Sequence, residues 1–288
     1  MVSTRSRGQK VFNVCNIIAL ILLSAIFILP YIIVISSSLT DEMTLIVNGY
    51  SVLPKNVTLY AYQFMFSKNL PILGSLWNSV KLVLISTVLC TTTCMLYAYA
   101  LQHRSLKFRK FFNLYVVITM LFGGGLVPYY LVVSYFFEDS IWALIIPGLM
   151  AAWYTFLIRN YFVTIPVSLC EAAEIDGARH FRILFSVYVP LSTPVIATIA
   201  LFVAVSQWNS YIGPMLFIDS IEKYPIQLTL QKLLDNVENM VSVGNTDMVP
   251  TESVKMAAIV VATLPIICVY PFLQRFFING MILGGVKE

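Results

Sequence analysis

The 288-residue chain is 59% hydrophobic, and only 11% of its residues are charged, for a formal net charge of +4 and a mean hydropathy of +0.83. A soluble domain gives about a quarter of its residues to charge, so this composition excludes a water-coated globule, and no nucleic-acid partner is expected. Crossing a hydrocarbon layer about 30 Å thick takes about 20 apolar residues. Backbone polar groups cannot stay unpaired in lipid, so long apolar runs predict helices. The expected class is an all-α integral membrane protein.

In chain order, Arg5, Arg7 and Lys10 precede an apolar run from Val11 to Leu39. That run is too long for the core of a cleaved signal, and the sequence after it is a poor cleavage site, so 11–38 is read as a retained first span. An extracytoplasmic segment, 39–73, follows; its Asn56 sequon carries no weight without a secretory context. Five further apolar runs cover about 74–101, 110–136, 141–158, 188–217 and 255–274, which makes six transmembrane helices and a C-terminal tail at 275–288. Lys81 lies just inside the outer end of the second span; it is either a functional ionisable group or an amine snorkelling to the interface. Cys90 and Cys94 share a helix face but sit in an apolar run far in sequence from His103 and His180, so they read as small hydrophobes and no metal site is expected. "FGGG" at Phe122–Gly125 lacks the lysine of a phosphate loop; with Pro128 it should loosen or kink the third span. No ATPase motif occurs anywhere, so ATP must be handled by another subunit.

Orientation follows from the basic residues. With the N-terminus inside, twelve Lys/Arg fall on inner segments and five on outer ones. Both termini are therefore expected in the cytoplasm: residues 1–10, 102–109, 159–187 and 275–288 inside, 218–254 outside. The last of these carries "YPIQLTLQKLLDNVEN", whose Leu228, Leu230, Leu233, Leu234 and Val237 follow one helical face.

One inner segment is unusually polar. Glu171, Glu174, Asp176, Arg179, His180 and Arg182 crowd into 12 residues between the fourth and fifth spans. Pro166 suits a helix start, with Ser168 a second candidate cap. Gly177 suits a tight bend, and Ala172 and Ala173 permit close approach of another backbone. Two short amphipathic helices lying along the membrane are expected over the loop 166–187.

The spacing here is Glu171-Ala172-Ala173, three residues, Gly177, nine residues, then Val187-Tyr188-Val189-Pro190. It resembles the EAA loop of type I ATP-binding-cassette importer permeases, departing only by valine at 187 and 189. "RNYFVTIPVSLCEAAEIDGA", "LPKNVTLYAYQFMF" and "WNSYIGPMLF" are similar to the carbohydrate, or maltose-type, branch of that family. "MLFGGGLVPYYL" and "FFINGMILGGVKE" look like its complex-oligosaccharide permeases from Firmicutes, which depend on lipoproteins. The resemblance implies a non-catalytic permease subunit without cofactor in the bacterial plasma membrane, moving an oligosaccharide by alternating access. It implies a homologous second permease, two copies of a cytoplasmic ATPase and an extracytoplasmic sugar-binding protein. Glu171, Ala172, Ala173, Gly177 and Pro190 would form the ATPase-coupling helix and its junction with the fifth span, and the outer segment after that span would touch the binding protein.

Trp208, Asn209 and Tyr211, with Tyr129 and Trp153, have the aromatic and amide character of a sugar path, but aromatic belts at an outer interface look the same. A permease for an amino acid, phosphate or metal remains the nearest rival. A membrane enzyme would need paired intramembrane carboxylates or histidines, and an ion-coupled transporter buried carboxylates; all 14 acidic residues fall outside the expected spans.

Overall fold

The computed structural model describes residues 7–66, 71–103, 105–242 and 252–285. Residues 1–6, the stretch 243–251, the last three residues and the side chain of Val237 lie outside this description, so the expectations placed on them rest on sequence. Among the described residues every regular element is a helix, with one isolated bridge between Thr40 and Val57. The helices are α1 (Arg7–Ser38), α2 (Glu42–Asn48), α3 (Tyr60–Met65), α4 (Ile72–Gln102), α5 (Arg109–Leu121), α6 (Leu126–Phe136), α7 (Trp142–Ile145), α8 (Ala152–Val163) and α9 (Val167–Ile175). They continue as α10 (His180–Ile183), α11 (Val189–Leu191), α12 (Thr193–Trp208), α13 (Ile212–Phe217), α14 (Ile226–Ser242) and α15 (Glu252–Gly285), the last carrying helix into the expected tail.

Three stretches are unbroken helix long and apolar enough to cross a membrane: Val11–Ser38, Ile72–Gln102 and Glu252–Val269. Three bent pairs meet the same test: α5 with α6 at 111°, α7 and its following turn with α8 at 43°, and His180–Leu191 with α12 at 84°. Each bent pair taken as one span gives six.

The bends bear out one expectation and correct another. The third span was expected to loosen or kink at Phe122–Gly125, and there its two halves turn past a right angle. The reason is Phe122–Gly125, four residues outside any helix, ending in Gly125 at φ +83°, where a side chain would be strained. The fifth span was expected to run over 188–217, yet its straight helix is only Thr193–Trp208. At its start Ser192 lies between Pro190 and Pro194. At its end Asn209 donates its side-chain amide to the Val205 carbonyl at 2.9 Å, which closes the last turn before α13 begins.

The chain divides into two compact units. In the first, residues up to 66 join with 233–264. Helix α1 is apolar all round and leaves its side chains from Val11 to Ile32 exposed, as suits a helix facing lipid or another subunit. Its last turn is buried: Ser38 Oγ donates to the Ile35 carbonyl and shares a 2.8 Å bond with the Tyr62 hydroxyl. The Glu42 carboxylate accepts from the Glu252 and Ser253 backbone N–H groups at 2.9 and 2.8 Å, an anion at the positive end of α15. Tyr50 donates to Glu252 at 2.7 Å, and that bond holds the phenol proton above its ordinary range.

In the second unit, residues 71–232 with 265 onward, α4 is the central post. Cys90, Cys94, Met95 and Ala98 form one buried stripe at helical spacing, against Ile158 and Phe162 of α8, Leu184, and Ile199 and Val203 of α12. Cysteine and alanine keep the helices close. Thr93 Oγ1 donates to the Leu149 carbonyl, and Cys94 Sγ reaches the Leu149 and Ala151 carbonyls at 3.7 Å. Both carbonyls sit at the 43° break before α8; Ala151 is already paired with Thr155 of α8, and α4 supplies a partner to the Leu149 carbonyl. At the other end of α4, Asn78 donates to the Glu222 carbonyl at 2.7 Å, Ser79 accepts from the Ile226 N–H at 2.8 Å, and Ser75 bonds Thr229 at 2.7 Å. The start of α14 is thereby fixed, with Leu228 and Leu230 buried.

Candidate functional site

The polar loop between α8 and α12 folds as α9, α10, a π-helical turn at Leu184–Tyr188, and α11. Pro166 caps α9 at φ −57°, where its missing N–H costs nothing; the helix therefore starts at Pro166 rather than Ser168. Gly177 ends it in the left-handed conformation, φ +78°. The Ala178 N–H bonds the Ala173 carbonyl and the Gly177 N–H the Glu174 carbonyl, both at 2.9 Å, a Schellman closure. Space is open around Gly177, so its requirement is conformational.

Cys170 on α9 and Ile183 and Leu184 beyond the bend are buried and anchor the loop. Glu171, Ala172, Gly177 and Pro190 are exposed and Ala173 is half-buried, so the five motif residues form an accessible face with its junction. Apolar side chains share that exposure: Ile175 at 86% and Phe181 at 71%. Water is a poor environment for such residues, and a rigid patch mixing them with Glu171 and Glu174 is the composition of a docking surface.

Beside the patch, a cleft of about 960 Å³ is lined by Tyr99, His103, Glu174, Arg179, His180 and Phe181, among others. The chain's two histidines meet here, with ring centroids 4.8 Å apart, and Tyr99 Oη lies 3.4 Å from His180 Nδ1. Nothing in their sequence separation signalled this pairing.

The five aromatic and amide candidates scatter. Trp208 is buried, and the Asn209 amide is used in closing α12. Tyr211 and Trp153 are exposed. Tyr129 lines a small cleft, about 250 Å³, together with Ser206, Gln207, Ser210, Gly148 and Phe217. Its ring meets Phe217 edge-on at 5.7 Å. Ser206 and Gln207 interrupt an apolar helix, a signal that was present in the sequence. Lys81 places its amine 5.9 Å from the centre of the Trp77 ring, one turn nearer the start of α4, the direction snorkelling requires.

On the opposite side of this unit, Asp139 (φ +45°) accepts from Lys223 Nζ at 2.6 Å, from the Ser220 hydroxyl, and from the Asp219 and Ser220 backbone N–H groups. The Lys223 ammonium, then Ser220, hold its carboxyl well below the usual carboxylate range.

The family model for the inner-membrane component of binding-protein-dependent transport systems matches residues 4–282. The chain belongs to that family. Among its members, it is 39% identical to the polygalacturonan/rhamnogalacturonan transport system permease YtcP of Bacillus subtilis, over 93% of this chain and 95% of the relative. It is 37% identical to the protein LplC of the same organism, over 98% and 97%. Among solved structures, a bacterial ABC transporter involved in importing the acidic polysaccharide alginate contains a chain with TM-score 0.81 and 30% identity, covering 96% of this chain and 100% of that one. The all-helical, membrane-spanning type I permease architecture is therefore established, and the molecule is an inner-membrane transport component that works with a binding protein.

Proposed function

We propose that this permease is one transmembrane subunit of an ATP-driven carbohydrate importer, with an oligosaccharide as cargo. ATP is hydrolysed by a separate cytoplasmic ATPase present in two copies, and a homologous second permease completes the pathway. The observation that carries this reading is the accessible loop face of Glu171, Ala172, Ile175 and Phe181, set on the family's motif spacing and clamped to α4 and α8. In this account closure of the ATPase dimer moves α9, and the helices it is anchored to then open the cavity toward a docked sugar-binding protein. The basic-residue bias supports placing the loop and both termini in the cytoplasm. A relative named for polygalacturonan and rhamnogalacturonan transport and a neighbour from an alginate importer support a saccharide cargo. We place Tyr129, Ser206, Gln207 and Ser210 on its path, because a ring face beside an amide and hydroxyls suits a sugar.

Reconstitution of the permease pair with its ATPase and binding protein tests this. ATP-dependent uptake of labelled oligosaccharide is expected, and Glu171→Lys should abolish uptake while the subunit still inserts. Uptake by the variant at the wild-type rate would overturn the coupling assignment.

A further inference from the structure

We propose that Cys170 and Tyr188 form a thiol–hydroxyl latch that makes the loop and the foot of α12 one lever, a role resting on the coupling function just assigned to this loop. The need for a latch is visible in the backbone. Between α9 and α12 the chain has two soft joints. One is Gly177, left-handed and with nothing around it. The other is the π-helical turn Leu184–Tyr188, just ahead of the 84° bend into α12. A wide π turn is a poorly packed and often functional interruption of a helix. Force applied to α9 could be spent in flexing these joints instead of moving the spans.

A single contact bridges both. Cys170 Sγ donates to Tyr188 Oη at 3.1 Å, across 18 residues. Cys170 is buried on the inner side of α9, one residue before the exposed Glu171. Tyr188 is the last residue of the π turn, and its ring is held by neighbours from two other helices. Tyr99 of α4 lies edge-on with centroids 5.2 Å apart, and Phe162 of α8 lies 5.0 Å away. On the next turn, the Tyr161 hydroxyl donates to the Leu191 carbonyl at 3.3 Å, pinning α11 to α8. A displacement of α9 therefore reaches α4 and α8 through Tyr188, at the far end of the π turn, without passing through Gly177 or the turn's earlier residues. Cys170 and Tyr188 are positioning residues: they touch no substrate, and they act by keeping the α9 face in register with the spans.

The test uses the assembled importer in proteoliposomes and reads two rates on the same sample, ATP hydrolysed and labelled oligosaccharide accumulated. Cys170→Ala and Tyr188→Phe each remove the bond; the first also deletes a buried sulfur, and the second also releases Gln102 from the Tyr188 hydroxyl. Each is expected to retain ATPase co-purification and hydrolysis while the sugar moved per ATP falls about two- to threefold, the scale that loss of one weak thiol bond supports. The double variant should fall no further than Tyr188→Phe alone, because the Cys170 contact is already lost there together with the bond between the Tyr188 hydroxyl and Gln102. Cys170→Ser, which keeps a donor, should restore most of the coupling. An unchanged ratio in Cys170→Ala and Tyr188→Phe, additive losses, or parallel loss of hydrolysis and transport would each overturn the latch. Glu171→Lys in the same preparation separates the two ideas. If it blocks uptake while the latch variants behave as wild type, only the latch fails; if it too is silent, the coupling role of the loop fails.

Discussion

Two polar regions of the second unit make opposite use of their charges. Around Asp139 the charges are turned on one another: one carboxylate takes Lys223, Ser220 and two backbone N–H groups, and the segment is closed upon itself. In the loop around Glu171 no described ion pair ties the carboxylates down, and Ile175 and Phe181 stand in the open beside them. A polar segment that satisfies its own groups is a structural clasp. One that leaves charge and apolar surface both unspent, on a loop anchored by buried Cys170, Ile183 and Leu184, is prepared for a partner.

The contrast breaks first at the loop. Gly177→Leu places a side chain at φ +78°, a strain of about 1–2 kcal/mol, and re-aims the whole of α10. Uptake should fall to background while membrane insertion, read by immunoblot of the membrane fraction, is preserved. Ile175→Asp is expected to weaken retention of the ATPase on the purified permease about tenfold, the scale of one lost interface anchor. Retention of the ATPase at wild-type yield would mean that this exposed residue faces only water.

Changes at the clasp should matter far less. Lys223→Met removes the exposed partner of a half-buried carboxylate; such surface pairs contribute little, and uptake is expected within about twofold of wild type. Its pH signature is specific. The Asp139 pKa is depressed in the fold, so the clasp's contribution is complete above the ordinary carboxylate value near 4 and is lost as pH falls through the folded pKa. Protease nicking between Asp219 and Lys223 should therefore be flat from about pH 5 to 8 and rise only below about pH 4. In Lys223→Met the rise should begin at higher pH.

What the sequence made legible was what local chemistry decides. Pro166 opens α9 because it lacks an N–H; Gly177 closes it because only glycine holds that φ without strain; the motif spacing survives intact from Glu171 to Pro190. Apolar runs marked the spans because lipid forces helices. What stayed hidden depends on how separate helices meet. The Cys170–Tyr188 and His103–His180 pairs arise only once α9 and α10 fold back under α4. The 111° turn at Phe122–Gly125 was readable as a weakness but not as a reversal, since flexibility does not fix an angle. The extent of the fifth span was overread because Ile212–Phe217 is as apolar as α12, although the Asn209 side chain had already closed that helix. The sugar-path residues were chosen by aromatic character, which favoured the buried Trp208 over the plainer Ser206 and Gln207.

The central claim is that the Glu171 loop is the face on which the ATPase acts. A photoreactive benzoylphenylalanine in place of Ile175, in the complete importer in membranes, tests it at an exposed apolar residue of α9. The account predicts a covalent adduct with the ATPase subunit whose yield changes when ATP is added. Adducts confined to lipid, or to the extracytoplasmic binding protein, in a preparation that still transports would contradict it.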